Sequence, residues 1–388
     1  MQWALTEAKD GKATLQLNSH WLYSRYRPYE DAEKWIASNY DEEATSYLLI
    51  GLGLGYHVQA LQRYTTKKIY VYYFDKKELA YSLVQQSEQV VFINSLDESI
   101  AYSAQLLLPT TFLKAIGNTH PLHEALMLIK IQQQSFKHFG AQMLENFNMN
   151  AQQLVIKPYA KKNNNIACLI ASGPSAEDTL PWLQDYQQNV DIYSVGSALA
   201  ICNKYSIIPK AAIITDVQST MVKQLKGYTG PLYYLMTANA CAVEKHKGEK
   251  YPLCQQGYAL AEELATQCNL PKLATGGSVA TTAFSLLECM GYDSIVLFGQ
   301  DLGFTNNKTH ATASTSYNEL QGEIRLQVKA NNGQYIQTLG NLKAYLHWFN
   351  RHCKNSTSKV YNTAVHGAKI EGVPLITRSQ FEDLIKTN

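Results

Sequence analysis

The chain has 388 residues with 34 basic and 32 acidic side chains, a formal net charge of +2. That length asks for two or three domains, and the balance of charge excludes the concentrated basic face of a nucleic-acid protein. No basic start followed by an apolar run is present and no uninterrupted stretch of about 18 apolar residues occurs, so a soluble, cytoplasmic protein without membrane contact is expected. The seven cysteines, at 168, 202, 241, 254, 268, 289 and 353, form no C-x-x-C pair. They read as reduced core thiols, not as disulfides or zinc ligands.

In chain order, residues 1 to 45 read as short strands (ATLQL, WLYSRY) and a helix from Pro28. SYLLIGLGLGYHVQAL, residues 46 to 61, is a buried strand, a glycine loop carrying Gly51, Gly53 and Gly55, and a helix. KKIYVYYFD gives a second strand ending in Asp75, followed by a helix from Lys76 and a third strand near VVFIN. The acidic residue stands about 20 positions beyond the glycines, as in dinucleotide or S-adenosylmethionine sites. A first Rossmann-like domain is therefore expected over residues 1–110. The stretch from Pro121 to Lys157 carries apolar residues at mixed spacings of three and four, which predicts a helical linker within 111–160. His120, His123 and His138 fall in or beside it, with no partner carboxylate to complete a metal set.

KKNNN at 161 to 165 is a polar break, and a second domain is expected over 161–388. Its strands, at IACLI, DIYSVGS, AAIITD, PLYYLM and DSIVLFG, alternate with helical segments, the pattern of a second parallel sheet. The fold class is thus α/β, two Rossmann-like domains with a helical linker. Open sheets of this kind bind ligands at the carboxyl ends of their strands, and five motifs fall there. Ser172-Gly173-Pro174-Ser175 precedes a helix whose free amides could face a phosphate. Gly196 and Ser197 end the next strand, and Thr215 with Asp216 the third. Thr275-Gly276-Gly277-Ser278 opens a helix, a position that favours an anion. The strand after that helix delivers Gly299-Gln300-Asp301 to the same edge, with His310 in the polar loop beyond. Last, VYNTAVHGAKIEG places Asn362, Thr363 and His366 after a strand.

GPSAED, SVGSAL, TDVQ, TGGSVATTAFSLLECMGYDSIVLFGQDLGF and NTAVHGAKIEG resemble the motility accessory factor (Maf) family, and WLYSRYRPYEDAEKW with LLIGLGLGYHVQAL resembles that family's N-terminal domain. The resemblance covers nearly the whole chain and implies a flagellin glycosyltransferase. Such an enzyme moves a nonulosonic acid, pseudaminic or legionaminic acid, from its CMP-activated form to Ser or Thr of flagellin in the cytoplasm. The second domain also resembles bacterial sialyltransferases that use CMP-sialic acid, so the donor is a substrate and no cofactor or metal is required. On this resemblance Ser172 to Ser175, Gly196, Ser197, Thr215, Gln300 and Asn362 line the nucleotide-sugar site, and Thr275 to Ser278 receive the sugar carboxylate or the phosphate. Asp216 is the first choice for the base or for a ribose contact. His310 faces the phosphate as a donor or acid, matching by position a phosphate-contacting tyrosine of the sialyltransferases, and Asp301, also counted in the nucleotide-sugar site, braces its loop. Two departures stand out. Many family members carry a helical C-terminal domain for holding flagellin, whereas this chain ends at Asn388 soon after NTAVHGAKIEG. The zone in which the sialyltransferases place a general-base histidine reads NGQYIQTLGN.

Three other readings compete. An archaeal pterin pyrophosphokinase resembles the same second domain, and it would place Mg²⁺ on triphosphate oxygens through Asp216 and Asp301. No G-x-x-x-x-G-K-[ST] loop supports it. A methyltransferase or dehydrogenase would use the glycine loop and Asp75. A flagellin-binding module without turnover would use neither site chemically.

Overall fold

The computed structural model describes residues 1–95, 104–117, 121–159, 162–304, 310–312, 314 and 326–387. The chain is α/β and divides into two compact units, residues 1–134 with 257–259 and residues 135–256 with 260–388. The residues expected as a separate linker are shared between them: the helix Pro121–Gln152 runs unbroken for 32 residues.

The first unit opens with an antiparallel sheet of β1 (Trp3–Glu7), β2 (Ala13–Leu17) and β3 (His20–Trp21). Of WLYSRY only Trp21 belongs to it, as the second residue of β3. A parallel sheet follows, made of β4 (Ser46–Ile50), β5 (Lys68–Tyr72), β6 (Val90–Ile93) and β7 (Gln105–Leu107) in the order β6-β5-β4-β7. β4 is apolar on both faces because both are covered. Tyr47 and Leu49 pack with Ile36, Val58 and Val71 on one face, and Leu48 and Ile50 with Leu15, Leu17 and Phe112 on the other.

The second unit is built on eight parallel strands. The chain lays down β8 (Ile166–Ile170), β9 (Asp191–Val195), β10 (Ala211–Ile214), β11 (Leu232–Leu235), β12 (Lys250–Gln255) and β13 (Lys272–Leu273) side by side. It then returns through the helix Val279–Cys289 to place β14 (Ser294–Phe298) on the other side of β8. A hairpin of β15 (Leu326–Lys329) and β16 (Tyr335–Thr338) and a helix Gly340–Lys354 lead to the outer strand β17 (Lys359–Asn362). The order reverses between β8 and β14, which makes that junction the topological switch point.

β12 and β13 were not among the expected strands. KYPLCQ carries Pro252, which breaks the reading of a central strand. β13 pairs only with Cys254 and Gln255, so Pro252 has an open flank, where its carbonyl accepts from the Tyr159 hydroxyl at 3.2 Å. At the amino edge Asp191 ties the strand starts together. It accepts from Lys210 Nζ and Tyr292 Oη at 2.7 Å each, from the Asn163 amide at 2.8 Å and from Asn164 Nδ2 at 3.0 Å. Burial pushes this carboxyl up, but the bonds from Lys210, Tyr292 and Asn163 prevail and hold it below the usual range.

Candidate functional site

The two loops at the switch point are bonded to each other. The Gly173 amide donates to the Gly299 carbonyl at 2.9 Å, and Ser175 donates to the Asp301 carboxylate from its amide at 3.2 Å and from Oγ at 2.7 Å. A Cβ on Gly173 would strike Asp301 Oδ2 and the Gly299 carbonyl, so glycine is required by this close approach. Asp301 is 2% exposed, and burial raises its carboxyl to about 6 against the bonds from Ser175. Its carbonyl accepts from the Ala368 amide at 2.7 Å, so the NTAVHGAKIEG segment braces it from behind.

The helix after GPS, Ala176–Thr179, has four residues, and its amides are engaged. Ala176 donates to Gly173, Glu177 to Pro174, and Asp178 and Thr179 to Ser175. The expectation that this helix start turns free amides to a phosphate is thereby corrected, because the chain's own carboxylate, Asp301, stands where an anion would. What remains at this edge is hydroxyl: Ser197 Oγ donates to Ser172 Oγ at 2.9 Å. The Ala311 amide donates to the Ser172 carbonyl at 2.9 Å and Ser314 Oγ to the Ser197 carbonyl at 3.2 Å. His310, next in sequence to Ala311, is half-buried.

The TGGS helix start differs. The helix Val279–Cys289 has 11 residues, with Ser278 as its N-cap and Thr281 completing a capping box. The Gly276 and Ser278 amides donate to Thr281 Oγ1 at 3.0 and 3.3 Å. Among the described residues nothing accepts from the amides of Gly277, Val279 and Ala280, as at any helix start without a ligand. Gly277 is exposed with φ +87°, a conformation for which glycine is suited. The helix packs on β8, β9 and β10, and the half-buried Thr215 and Asp216 follow β10 directly. Asp216 Oδ1 accepts from the Gln218 amide at 3.0 Å, while its carbonyl accepts from the Asn239 amide at 2.9 Å. Gly196, after β9, is enclosed by Ile214 and Gln224.

Gln300 and Asn362 are buried at 5% and 0% exposure, and Gln300 Oε1 and Asn362 Nδ2 have no hydrogen-bond partner among the described residues. Asn362 Oδ1 turns back to the Ala364 amide at 3.1 Å. The Thr363 hydroxyl bonds the Leu297 carbonyl, and His366 is exposed and accepts from Asn332 Nδ2 at 3.0 Å. His138 is exposed beside Phe139. His120 and the side chain of His123 lie outside the described residues.

Two sets of residues escape a local reading. Asn146 and Asn150, one turn apart on the long helix, clamp the loops after β10 and β11. Asn146 Nδ2 reaches the Val217 carbonyl at 3.2 Å, and Asn150 Nδ2 reaches those of Met236 and Ala238 at 3.0 and 2.9 Å. NFNMN carries them as an i, i+4 polar pair in an otherwise mixed helix. The second set is Tyr345 and Trp348, which lie against Gly277 and Gly276. Their only local signal is the small-residue pair that admits them.

The glycine loop of the first unit is filled by its own chain. Gly51, Gly53 and Gly55 have φ of +92°, +51° and +85°. A Cβ at these positions would meet the Phe112 ring, Tyr23 Oη and Val84, respectively. The Gly53 amide donates to Glu78 Oε1 at 2.7 Å, the Phe74 amide to Glu78 Oε2, and the Leu54 amide to Tyr23 Oη at 3.1 Å. Asp75, the acid that follows the glycines as in dinucleotide or S-adenosylmethionine sites, caps the next helix through the Lys77 and Glu78 amides and accepts from Trp3 Nε1 at 2.9 Å.

A family model described as 6-hydroxymethylpterin diphosphokinase MptE-like matches residues 141–307. Among solved structures, one described as Maf glycosyltransferase from Magnetospirillum magneticum AMB-1 aligns over 100% of this chain and 74% of its own, with a TM-score of 0.52 at 13% identity. At that identity the likeness is one of fold. No curated protein matches the chain.

Proposed function

We propose that the chain is a glycosyltransferase that moves a nonulosonic acid from its CMP-activated donor to Ser or Thr of flagellin in the cytoplasm, without an obligatory metal. One juxtaposition carries this reading: a capped helix start whose amides at Gly277, Val279 and Ala280 have no acceptor among the described residues, packed on the strand that precedes Asp216. The fold shared with a Maf glycosyltransferase supports it, as do the motif resemblances. In the transfer, the acceptor oxygen bonds to the anomeric carbon as the bond from that carbon to the CMP phosphate breaks, and CMP departs with the electron pair. The acceptor proton passes to Asp216. Negative charge builds on the phosphate, where the helix-start amides, the Ser172 and Ser197 hydroxyls and His310 supply donors.

The test is to incubate the protein with a CMP-nonulosonic acid and monomeric flagellin, and to measure intact flagellin mass and released CMP. One added sugar-acid mass per CMP released is expected, and a flagellin mass that never changes refutes the reading. A second reading, an ATP-dependent pyrophosphokinase acting on a pterin, is favoured by the MptE-like match, which spans the edge loops from GPS to GQD. It predicts pterin diphosphate from ATP and loss of turnover in EDTA.

A further inference from the structure

Gln300 and Asn362 stand at the carboxyl ends of neighbouring parallel strands, the edge at which open sheets bind ligands. β14 and β17 pair with Leu297 opposite Asn362. The segments beyond the strands stay laced together, the Thr363 amide donating to the Leu297 carbonyl at 3.1 Å and the Ala368 amide to that of Asp301 at 2.7 Å. Both side chains are more than nine-tenths buried, and among the described residues neither Gln300 Oε1 nor Asn362 Nδ2 has a hydrogen-bond partner. Buried polar atoms are nearly always bonded, because an orphan bears its full desolvation cost. An orphaned acceptor and an orphaned donor on adjoining segments of one ligand-binding edge point to a ligand that bonds both.

The two atoms also restrict the chemistry of that ligand. Asn362 Oδ1 already accepts from the Ala364 amide at 3.1 Å, so this side chain has only N–H left to offer. Gln300 Oε1 can only accept. An anion suits neither the acceptor nor the neighbourhood, since the buried carboxylate of Asp301 follows Gln300 directly and like charges repel in a poorly solvated place. A neutral planar group that carries an N–H and an acceptor, as an amide, a lactam or an aminopyrimidine does, satisfies both atoms without adding charge. We propose that Gln300 and Asn362 form a subsite for the neutral, amide-like part of the ligand, Gln300 Oε1 accepting from its N–H and Asn362 Nδ2 donating to its oxygen or ring nitrogen. The identity of that part rests on the glycosyltransferase reading, in which it is the cytosine ring or an acylamino substituent of the sugar acid. The phosphate and the sugar carboxylate are then held elsewhere.

The experiment is calorimetric titration of the full-length protein and of its Q300M and N362D variants with CMP, CMP-N-acetylneuraminic acid and 6-hydroxymethylpterin. Gln300→Met keeps the length of the side chain and removes the orphaned oxygen, while Asn362→Asp keeps an acceptor for Ala364 and removes the donor. Q300M should melt at or above the wild-type temperature, because no protein partner is lost, and yet bind its ligand about tenfold or more weakly, the loss for one buried hydrogen bond. Weaker binding of CMP itself in both variants assigns the subsite to the cytosine ring. A loss confined to CMP-N-acetylneuraminic acid assigns it to the acylamino group. Pterin as the one ligand bound by wild type, and bound more weakly by Q300M, upholds the subsite and overturns the transferase reading. If CMP and its sugar conjugate each bind either variant as well as wild type, whatever the melting temperature, the subsite is overturned and the transferase reading stands. Binding of none of the three overturns both.

Discussion

Asp216 and Asp301 each follow a strand of one parallel sheet, and their surroundings give them different roles. Both oxygens of Asp301 face Ser175, whereas Asp216 is half-buried with one oxygen on a backbone amide. Asp216→Asn retains the shape that accepts from Gln218 and should leave the melting temperature near wild type. Transfer should fall by about 10²–10⁴-fold, the usual contribution of a positioned base; wild-type turnover in a rate assay would remove Asp216 from the mechanism. Gly173 answers to space alone. Gly173→Ala pushes a methyl into Asp301 and the Gly299 carbonyl, an overpacking that should cost about 1–3 kcal/mol in urea unfolding. The glycine was legible in GPSAED, but its reason was not, because Asp301 lies 126 residues downstream of Ser175.

Helix starts make the same point one level up. GPS and TGGS both read as a glycine loop entering a helix, and a local pattern cannot rank them. The difference is made by distant chain: Asp301 satisfies the first, while the second is satisfied in part by its own Thr281 and left open at Gly277, Val279 and Ala280. Strand ends were legible because buried parallel strands are continuous apolar runs. β12 and β13 were not, since Pro252 interrupts one and the other has two residues. The clamp on the loops after β10 and β11 belongs to the long helix. Asn150→Ala strands the buried carbonyls of Met236 and Ala238, and the expected loss is about 1–3 kcal/mol, read as an earlier urea midpoint. In the first unit, burial raises Glu78 to about 7, against the bonds from Gly53 and Phe74. With its folded value above its unfolded one of roughly 4.3, the folded unit binds the extra proton between those two values, and its stability falls as pH rises through that window. Amide exchange of the 50–56 peptide should therefore speed up, relative to the intrinsic rate, from pH 5 to pH 7. Glu78→Gln should flatten that dependence, and an equally steep profile in the variant would assign it to another group.

At the scale of the molecule, two α/β units of similar plan treat their glycine loops in opposite ways, one filled from within and the other left with open donors. The alternation of short apolar runs with helical segments foretold the α/β fold class. It could not foretell which loop is open, since Tyr23, Glu78 and Phe112 converge on the first one from three separate segments. S-adenosylmethionine and NAD should give no heat on titration, while CMP should. The internal occupancy of the first loop also has a thermodynamic meaning. A site that waits for its ligand gains stability with ligand concentration, whereas a covalently tethered occupant has no concentration to vary. At fixed pH the melting of the first unit should thus be indifferent to the nucleotide pool, while that of the second should climb with the concentration of a nucleotide it binds.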